Sequence, residues 1–276
     1  MFMSQRIPNI LLSLITAIFA ITWIFPVYWA VATSIKHEVD VTSENIEIVP
    51  TSMTLIEYVR VFKESNILTW YINSLGTSIL ITLLVIIISM MCGYALSQLN
   101  FPGKRILWWM VLASIMVPTT ALVIALFVLI ADFNLINTWA GIILPQIISP
   151  VCVVVFKQFF DAVPRELREA AILDGAKEHN LLLNLYFPMS FGITTALAIV
   201  TYIGAWNQFW WPFIMTTQEE KFTVTIAISS VQDAFGVRYA REMALAVLAG
   251  FPVAAAYLVF QKKVTNALMM TSGIKG

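Results

Sequence analysis

Residues 72–99 read INSLGTSILITLLVIIISMMCGYALSQL, with no Asp, Glu, Lys or Arg anywhere in the stretch. A hydrocarbon core about 30 Å thick takes roughly 20 apolar residues of helix to cross, so this stretch reads as a membrane span. One Asp, Lys or Arg at the centre of such a helix costs about 2.5–3.5 kcal/mol on the insertion scale, which makes charge-free runs the feature to count. Six occur: Ile10–Ser34, Ile72–Leu99, Ile106–Ile130, Trp139–Phe156, Met189–Ile214 and Met243–Gln261. They are rich in Leu, Ile, Val, Ala and Phe and lack the alternating polarity of barrel strands. The predicted fold is an all-α membrane protein of six transmembrane helices forming one domain over residues 1–276.

The composition of the whole chain agrees. Of its 276 residues, 59% are hydrophobic and 12% charged, against about 25% charged in an average soluble protein. Sixteen Lys and Arg balance sixteen Asp and Glu, so there is no basic field to hold nucleic acid. The two cysteines, Cys92 and Cys152, each lie inside an apolar run and read as small buried hydrophobes, not as a disulfide or a metal site. The first run ends near Ala30-Val31-Ala32, which imitates a signal-peptidase site. Its length, and its Trp23, Pro26 and Trp29, favour a retained span. The fourth run holds Pro145 and Pro150 and is expected to be kinked or broken.

With the N-terminus in the cytoplasm, the inner segments hold Arg6, Lys104, Arg105, Lys157, Arg165, Arg168, Lys177, Lys262, Lys263 and Lys275, ten basic residues against six outside. The positive-inside rule therefore predicts both termini in the cytoplasm. The outer segments are then a first loop, Lys36–Tyr71, a turn at Asp132–Asn137 and a loop at Thr216–Glu242.

No run contains an Asp, Glu, Lys or His of the kind that ion-coupled carriers place in the membrane. A phosphate-binding loop is also missing, because Gly103-Lys104 has Gln98 where that motif requires its first glycine. His37 and His179 stand in different loops with no H-E-x-x-H or Cys/His cluster, so neither catalytic residues nor a metal are expected. A chain without these features needs a partner to energise transport, or else is a stand-alone channel or facilitator for small polar solutes.

The longest inner segment, Lys157–Pro188, ends DAVPRELREAAILDGAKEHNLLLNLYFP over residues 161–188. Pro164 suits the first turn of a helix, and Arg165 and Glu169 have the spacing of an i,i+4 ion pair. Leu167, Ala170, Ala171 and Asp174 share one helical face, and Gly175 permits a turn or a close backbone approach. A second helical piece, with Leu181, Leu182, Leu183 and Leu185, is expected to lie amphipathically at the membrane until Pro188 leads into the fifth run.

Glu169-Ala170-Ala171, Asp174-Gly175, Leu185 and Phe187-Pro188, at these spacings, resemble the EAA signature of permease subunits of binding-protein-dependent ABC importers. The departures are Leu185 for the usual Ile or Val and Phe187 for the usual Leu. Asn73-Ser74, the Phe101-Pro102-Gly103-Lys104-Arg105 turn, Ala205-Trp206-Asn207-Gln208 with Trp211-Pro212, and the tail from Ala267-Leu268 to Gly273-Ile274-Lys275-Gly276 resemble its carbohydrate-uptake branch of maltose, oligosaccharide and glycerol-phosphate permeases.

The resemblance implies a subunit of the bacterial or archaeal plasma membrane that forms half of a translocation pathway for a sugar or sugar-like solute. It implies as partners a second permease, often a different chain, two copies of a cytoplasmic ATPase and an extracytoplasmic solute-binding protein. ATP and Mg2+ would sit in the ATPase, with no cofactor on this chain. A coupling helix would dock that ATPase through Arg165, Glu169, Ala170, Ala171, Asp174, Gly175 and Pro188. Because sugars are bound by amides and stacked on aromatics, Trp206, Asn207, Gln208 and Trp210 are candidates for the solute pathway. The same cluster also reads as an interfacial aromatic belt, the reading that Trp at a membrane edge favours.

Overall fold

Every regular element among the described residues of the computed structural model is helical; these residues are 6–45, 47–230 and 238–271, with side chains described between 11 and 261. Three helices are long and apolar enough to cross a membrane alone, over Leu11–Ser34, Ile67–Gln98 and Tyr239–Gln261. Three more crossings arise if each of three bent pairs is one span. These are Lys104–Ile115 with Thr119–Asp132 at 95°, Trp139–Gln146 with Pro150–Asp161 at 47°, and Glu178–Met189 with Phe191–Trp206 at 80°.

Proline accounts for most of the breaks. The Lys104–Ile115 helix stops ahead of Pro118, whose ring disfavours helical backbone at the preceding residue, and the chain restarts in a tight turn at Thr119–Leu122. The run 106–130 is therefore two helices and not the single one expected. The break expected in the fourth run falls between Gln146 and Pro150: Ser149 accepts the Cys152 N–H, and Pro150 occupies the first helical position, where its missing N–H costs nothing. Before Pro188 the backbone widens into a π-helical turn over Leu182–Tyr186, and the chain bends at Ser190, whose N–H bonds Tyr186 O at 2.9 Å.

The fifth run, Met189–Ile214, is also divided. Its helix ends at Trp206, Asn207 occupies the C-cap, and a separate helix covers Trp210–Met215. Pro212 has no N–H to offer the Gln208 carbonyl four residues back, and the Thr225 hydroxyl donates to it instead at 3.1 Å.

The chain forms two compact units, Met1–Leu68 with Ile228–Pro252 and Thr69–Ala227 with Val253–Gly276. In the first, most large apolar side chains from Leu11 to Val31 are exposed, whereas Thr33, Ser34 and Lys36 at the end of that helix are buried. Ser34 and Tyr58 share a hydrogen bond of 2.8 Å, and the Lys36 ammonium donates to Glu47 O. Glu38 accepts the N–H groups of Tyr239 (2.8 Å) and Ala240 (2.9 Å), placing a carboxylate at the positive end of the last helix. The segment between the first two long helices is thus folded, with helices at Glu38–Val41 and Ile56–Glu64.

Among its described residues the second unit holds several buried clusters. One gathers Tyr94, Phe156, Phe160, Leu181 and Tyr186, another Ile81, Val85, Ile143 and Cys152, and a third Ile130, Ile142, Trp211 and Met215. Gly76 and Gly93, both on the Ile67–Gln98 helix, allow close approaches. A Cβ on Gly76 would stand 2.3 Å from the Trp139 ring, and one on Gly93 would stand 2.7 Å from Phe156 Cβ and 3.0 Å from Lys157 N. Both glycines thus let neighbouring segments pack closely against this helix.

Candidate functional site

The segment resembling the EAA signature folds as a nine-residue helix, Arg165–Leu173, preceded by Pro164 in extended backbone. Its end is a Schellman motif: Ala176 N–H bonds Ala171 O at 3.0 Å, and Gly175 N–H bonds Ile172 O at 2.9 Å. Gly175 takes φ +82, and a Cβ added there would meet nothing within 4 Å, so the turn, and not close packing within this chain, requires glycine here.

Glu169, Ala170, Asp174 and Gly175 are exposed, as are Leu167 and Ile172, and Leu173 is 87% exposed. Ala171 instead turns inward and packs on the Phe160–Tyr186 cluster. The four residues expected to share one face therefore divide between two surroundings. The Arg165–Glu169 ion pair does not form, and Arg168 pairs with Glu178 at 2.5 Å. Glu178 can reach it because the Schellman turn folds the chain back on the helix.

That carboxylate has a second partner, the Tyr94 hydroxyl at 2.5 Å. Tyr94 stands near the end of the Ile67–Gln98 helix, so Arg168, Glu178 and Tyr94 tie the exposed helix to a long apolar one. Aromatic edges reinforce the tie, with ring centroids of Tyr94 and Tyr186 at 5.1 Å and of Phe160 and Tyr186 at 5.4 Å. The Tyr186 hydroxyl donates to Gln98 Oε1 at 2.7 Å, and Gln98 Nε2 donates to Phe160 O at 2.9 Å. The sequence reading missed Glu178, Tyr94 and Gln98, and placed Leu181 on an interfacial helix although it is 1% exposed. No spacing rule marks these residues, because their partners lie tens of positions away. Pro188 falls in the short turn before the bend at Ser190.

The aromatic and amide cluster also divides. Trp206 is buried, with rings of Tyr71 and Tyr202 about it at 6.0 and 6.2 Å. Asn207 is exposed at the break, Gln208 is half-buried, and Trp210 is 68% exposed on the following helix. Trp211 is buried and donates its indole N–H to Gly141 O at 3.1 Å. The break therefore leaves an amide, Asn207, and a ring, Trp210, each on accessible surface, while the neighbouring Trp206 and Trp211 are buried.

Near that break, Asn73 is the polar centre of the unit. It is buried, accepts the Trp139 indole N–H at 2.9 Å, and donates to the carbonyls of Glu220 (2.8 Å) and Phe222 (3.0 Å). Ser74 accepts Val224 N–H at 2.8 Å, and the Trp70 indole donates to Glu219 O at 3.1 Å. The loop from Glu219 to Val224 is therefore held in place by successive positions of one helix.

Residues 85–265 match the family model described as binding-protein-dependent transport system inner membrane component. The arabinooligosaccharides transport system permease protein AraQ of Bacillus subtilis is 32% identical over 97% of this chain and 96% of its own length. The sulfoquinovosyl glycerol transport system permease protein SmoH of Agrobacterium fabrum is 29% identical over 94% of this chain and 92% of its own. The trehalose/maltose transport system permease protein MalG of Thermococcus litoralis is 28% identical over 96% of both. Among solved structures, a bacterial ABC transporter involved in import of the acidic polysaccharide alginate contains a chain with the same fold. The two superpose with a TM-score of 0.87 over 95% of this chain and 98% of that one, at 22% identity.

Proposed function

Because this chain belongs to the family of binding-protein-dependent transport system inner membrane components, we propose that it is the permease half of an ATP-driven importer for a sugar or sugar-like solute. It is a multi-pass inner-membrane transporter subunit and not an enzyme. The carbohydrate class rests on the relatives, whose names give arabinooligosaccharides, trehalose and maltose, and sulfoquinovosyl glycerol.

In this reading the three single helices and three bent pairs are six spans, with both termini in the cytoplasm. The excess of Lys and Arg in the inner segments supports that orientation. The partners are a second permease, two copies of a cytoplasmic ATPase that bind ATP and Mg2+, and a solute-binding protein outside. This chain itself binds no cofactor.

The observation that supports a coupling role most strongly is the Arg165–Leu173 helix, which leaves Leu167, Ile172 and Leu173 exposed outside the spans yet is tied through Arg168–Glu178–Tyr94 to the Ile67–Gln98 helix. An apolar tip with Glu169, Ala170, Asp174 and Gly175 beside it suits a cleft on another protein, and the tie gives movement of that helix a mechanical route to a span. Arg165 orients the docked helix as a rim charge, and Pro188 sets the bend into the fifth span. On the opposite side, Asn207, Gln208 and Trp210 offer amide and ring-face contacts to a passing sugar, with Trp206 supporting them.

Mass spectrometry of the complex purified with this chain in mild detergent tests the assembly. A second six-span permease and two ATPase copies per complex are the expected result, and recovery of this chain alone would overturn it. Ala170→Trp tests the docking surface. It should insert normally and lose solute uptake, and normal uptake at normal expression would contradict the assignment.

A further inference from the structure

At the end of the Ile67–Gln98 helix lies an open cavity of about 720 Å3, lined by Ser97, Gly103, Lys104, Arg105, Trp108, Lys157 and Asp161 among others. We propose that it is a binding site for the phosphate headgroup of an anionic phospholipid in the cytoplasmic leaflet. The inference rests on the orientation argued above, which places this end of the unit at the inner membrane surface.

Three cations and one carboxylate face the cavity. The carboxylate, Asp161, is already engaged, by Lys157 at 2.6 Å and by the Ser97 hydroxyl at 2.6 Å, so it adds little repulsion toward an incoming anion. Lys104 Nζ donates to Ser97 O at 3.0 Å and Leu99 O at 2.7 Å, which leaves one of its three protons for a ligand. Lys157 stands 4.7 Å from the centre of the Trp108 ring, a cation held against an aromatic face at the depth where tryptophan marks the membrane edge. Arg105 is exposed and makes no hydrogen bond or ion pair among the described residues, so its planar fork of donors is free.

The backbone points the same way. Gly103, at φ +84, opens the twelve-residue Lys104–Ile115 helix without any side-chain cap, and the first turn contains no acid but begins with Lys104 and Arg105. Two cations at a positive helix end are unfavourable in isolation, and an anion seated between them reverses the sign. Immediately after Arg105 the exposed Ile106, Leu107, Trp109 and Met110 run along the helix, an apolar track beside which acyl chains lie when the phosphate is in the cavity. A free inorganic anion would use the cations but not this track.

Native mass spectrometry of the purified, delipidated complex, titrated with phosphatidylglycerol or phosphatidylcholine, tests the site. Phosphatidylglycerol should be retained in preference to phosphatidylcholine, and Arg105→Gln should weaken that retention about fivefold, the effect of one basic residue near an anionic surface. Arg105→Lys should restore most of it. Since Arg105 is exposed and holds no hydrogen bond or ion pair among the described residues, its replacement leaves the fold intact. Equal retention of the two lipids by the unaltered protein, or unchanged retention in Arg105→Gln, would overturn the proposal. So would displacement of the lipid by millimolar inorganic phosphate, which would assign the cavity to a soluble anion. The lipid result can fail while the ATPase still co-purifies, so this inference and the importer reading fall separately.

Discussion

At Asn73 one carboxamide joins three backbone segments, accepting from Trp139 and donating to Glu220 and Phe222 inside the unit. Asn73→Ala should destabilise the chain by about 1–3 kcal/mol, because the half-buried Trp139 indole N–H loses its acceptor and two carbonyls lose a donor. A thermal-unfolding cycle with Trp139→Phe checks this: the two substitutions should fall short of additive, and strict additivity would mean that the hydrogen bond contributes nothing. Gly93→Ala places a Cβ 2.7 Å from Phe156 Cβ and 3.0 Å from backbone at Lys157, so it should cost about 1–3 kcal/mol by overpacking, read as a lowered Tm in detergent. The packing role of Gly93 was legible from its place in an apolar helix. That of Asn73 was not, since an amide in a span announces only that it needs a partner.

Among the elements, the Arg165–Leu173 helix shows how far local sequence reaches. Its existence and its turn at Gly175 follow from helix and turn chemistry and both are present, with Pro164 one position outside the first turn expected of it, at the N-cap. Which of its residues face inward does not follow, because the Phe160–Tyr186 cluster that receives Ala171 is assembled from distant segments. A bulky residue at Ala171 would damage this packing as well as any docking, which makes the exposed Ala170 the cleaner probe. Glu178→Gln should keep the Tyr94 contact and lose the charge of the Arg168 pair. At this half-exposed site that is worth about 1 kcal/mol or less in stability, so the expected effect is a lower ratio of solute imported to ATP hydrolysed, with normal expression. An unchanged ratio would mean that the tie is only structural. Pro118 and Pro212 likewise mark where runs are interrupted, although a hydropathy count passes over them as single residues in long apolar stretches.

For the molecule as a whole, orientation is the property open to the most direct test. In a cysteine-free background, Glu220→Cys should react with a membrane-impermeant maleimide on intact cells, and Lys177→Cys should react only after the membrane is opened. The reverse pattern would invert the assignment of every loop.

Residence in a bilayer, the number of apolar runs and the presence of a helix and a glycine turn in the longest inner segment could all be read from the order of residues along the chain. These depend on the cost of moving charge into hydrocarbon and on hydrogen bonds between near neighbours, both of which are local. Three features came to light in the folded chain alone: the runs at 106–130 and 189–214 are bent or divided, within the inner segment Arg168 and not Arg165 pairs with a glutamate, and Asn207 and Trp210 are exposed while Trp206 is not. Each of these depends on which segments meet across many residues, and apolar composition is nearly silent about that because lipid and neighbouring helices satisfy the same side chains equally well.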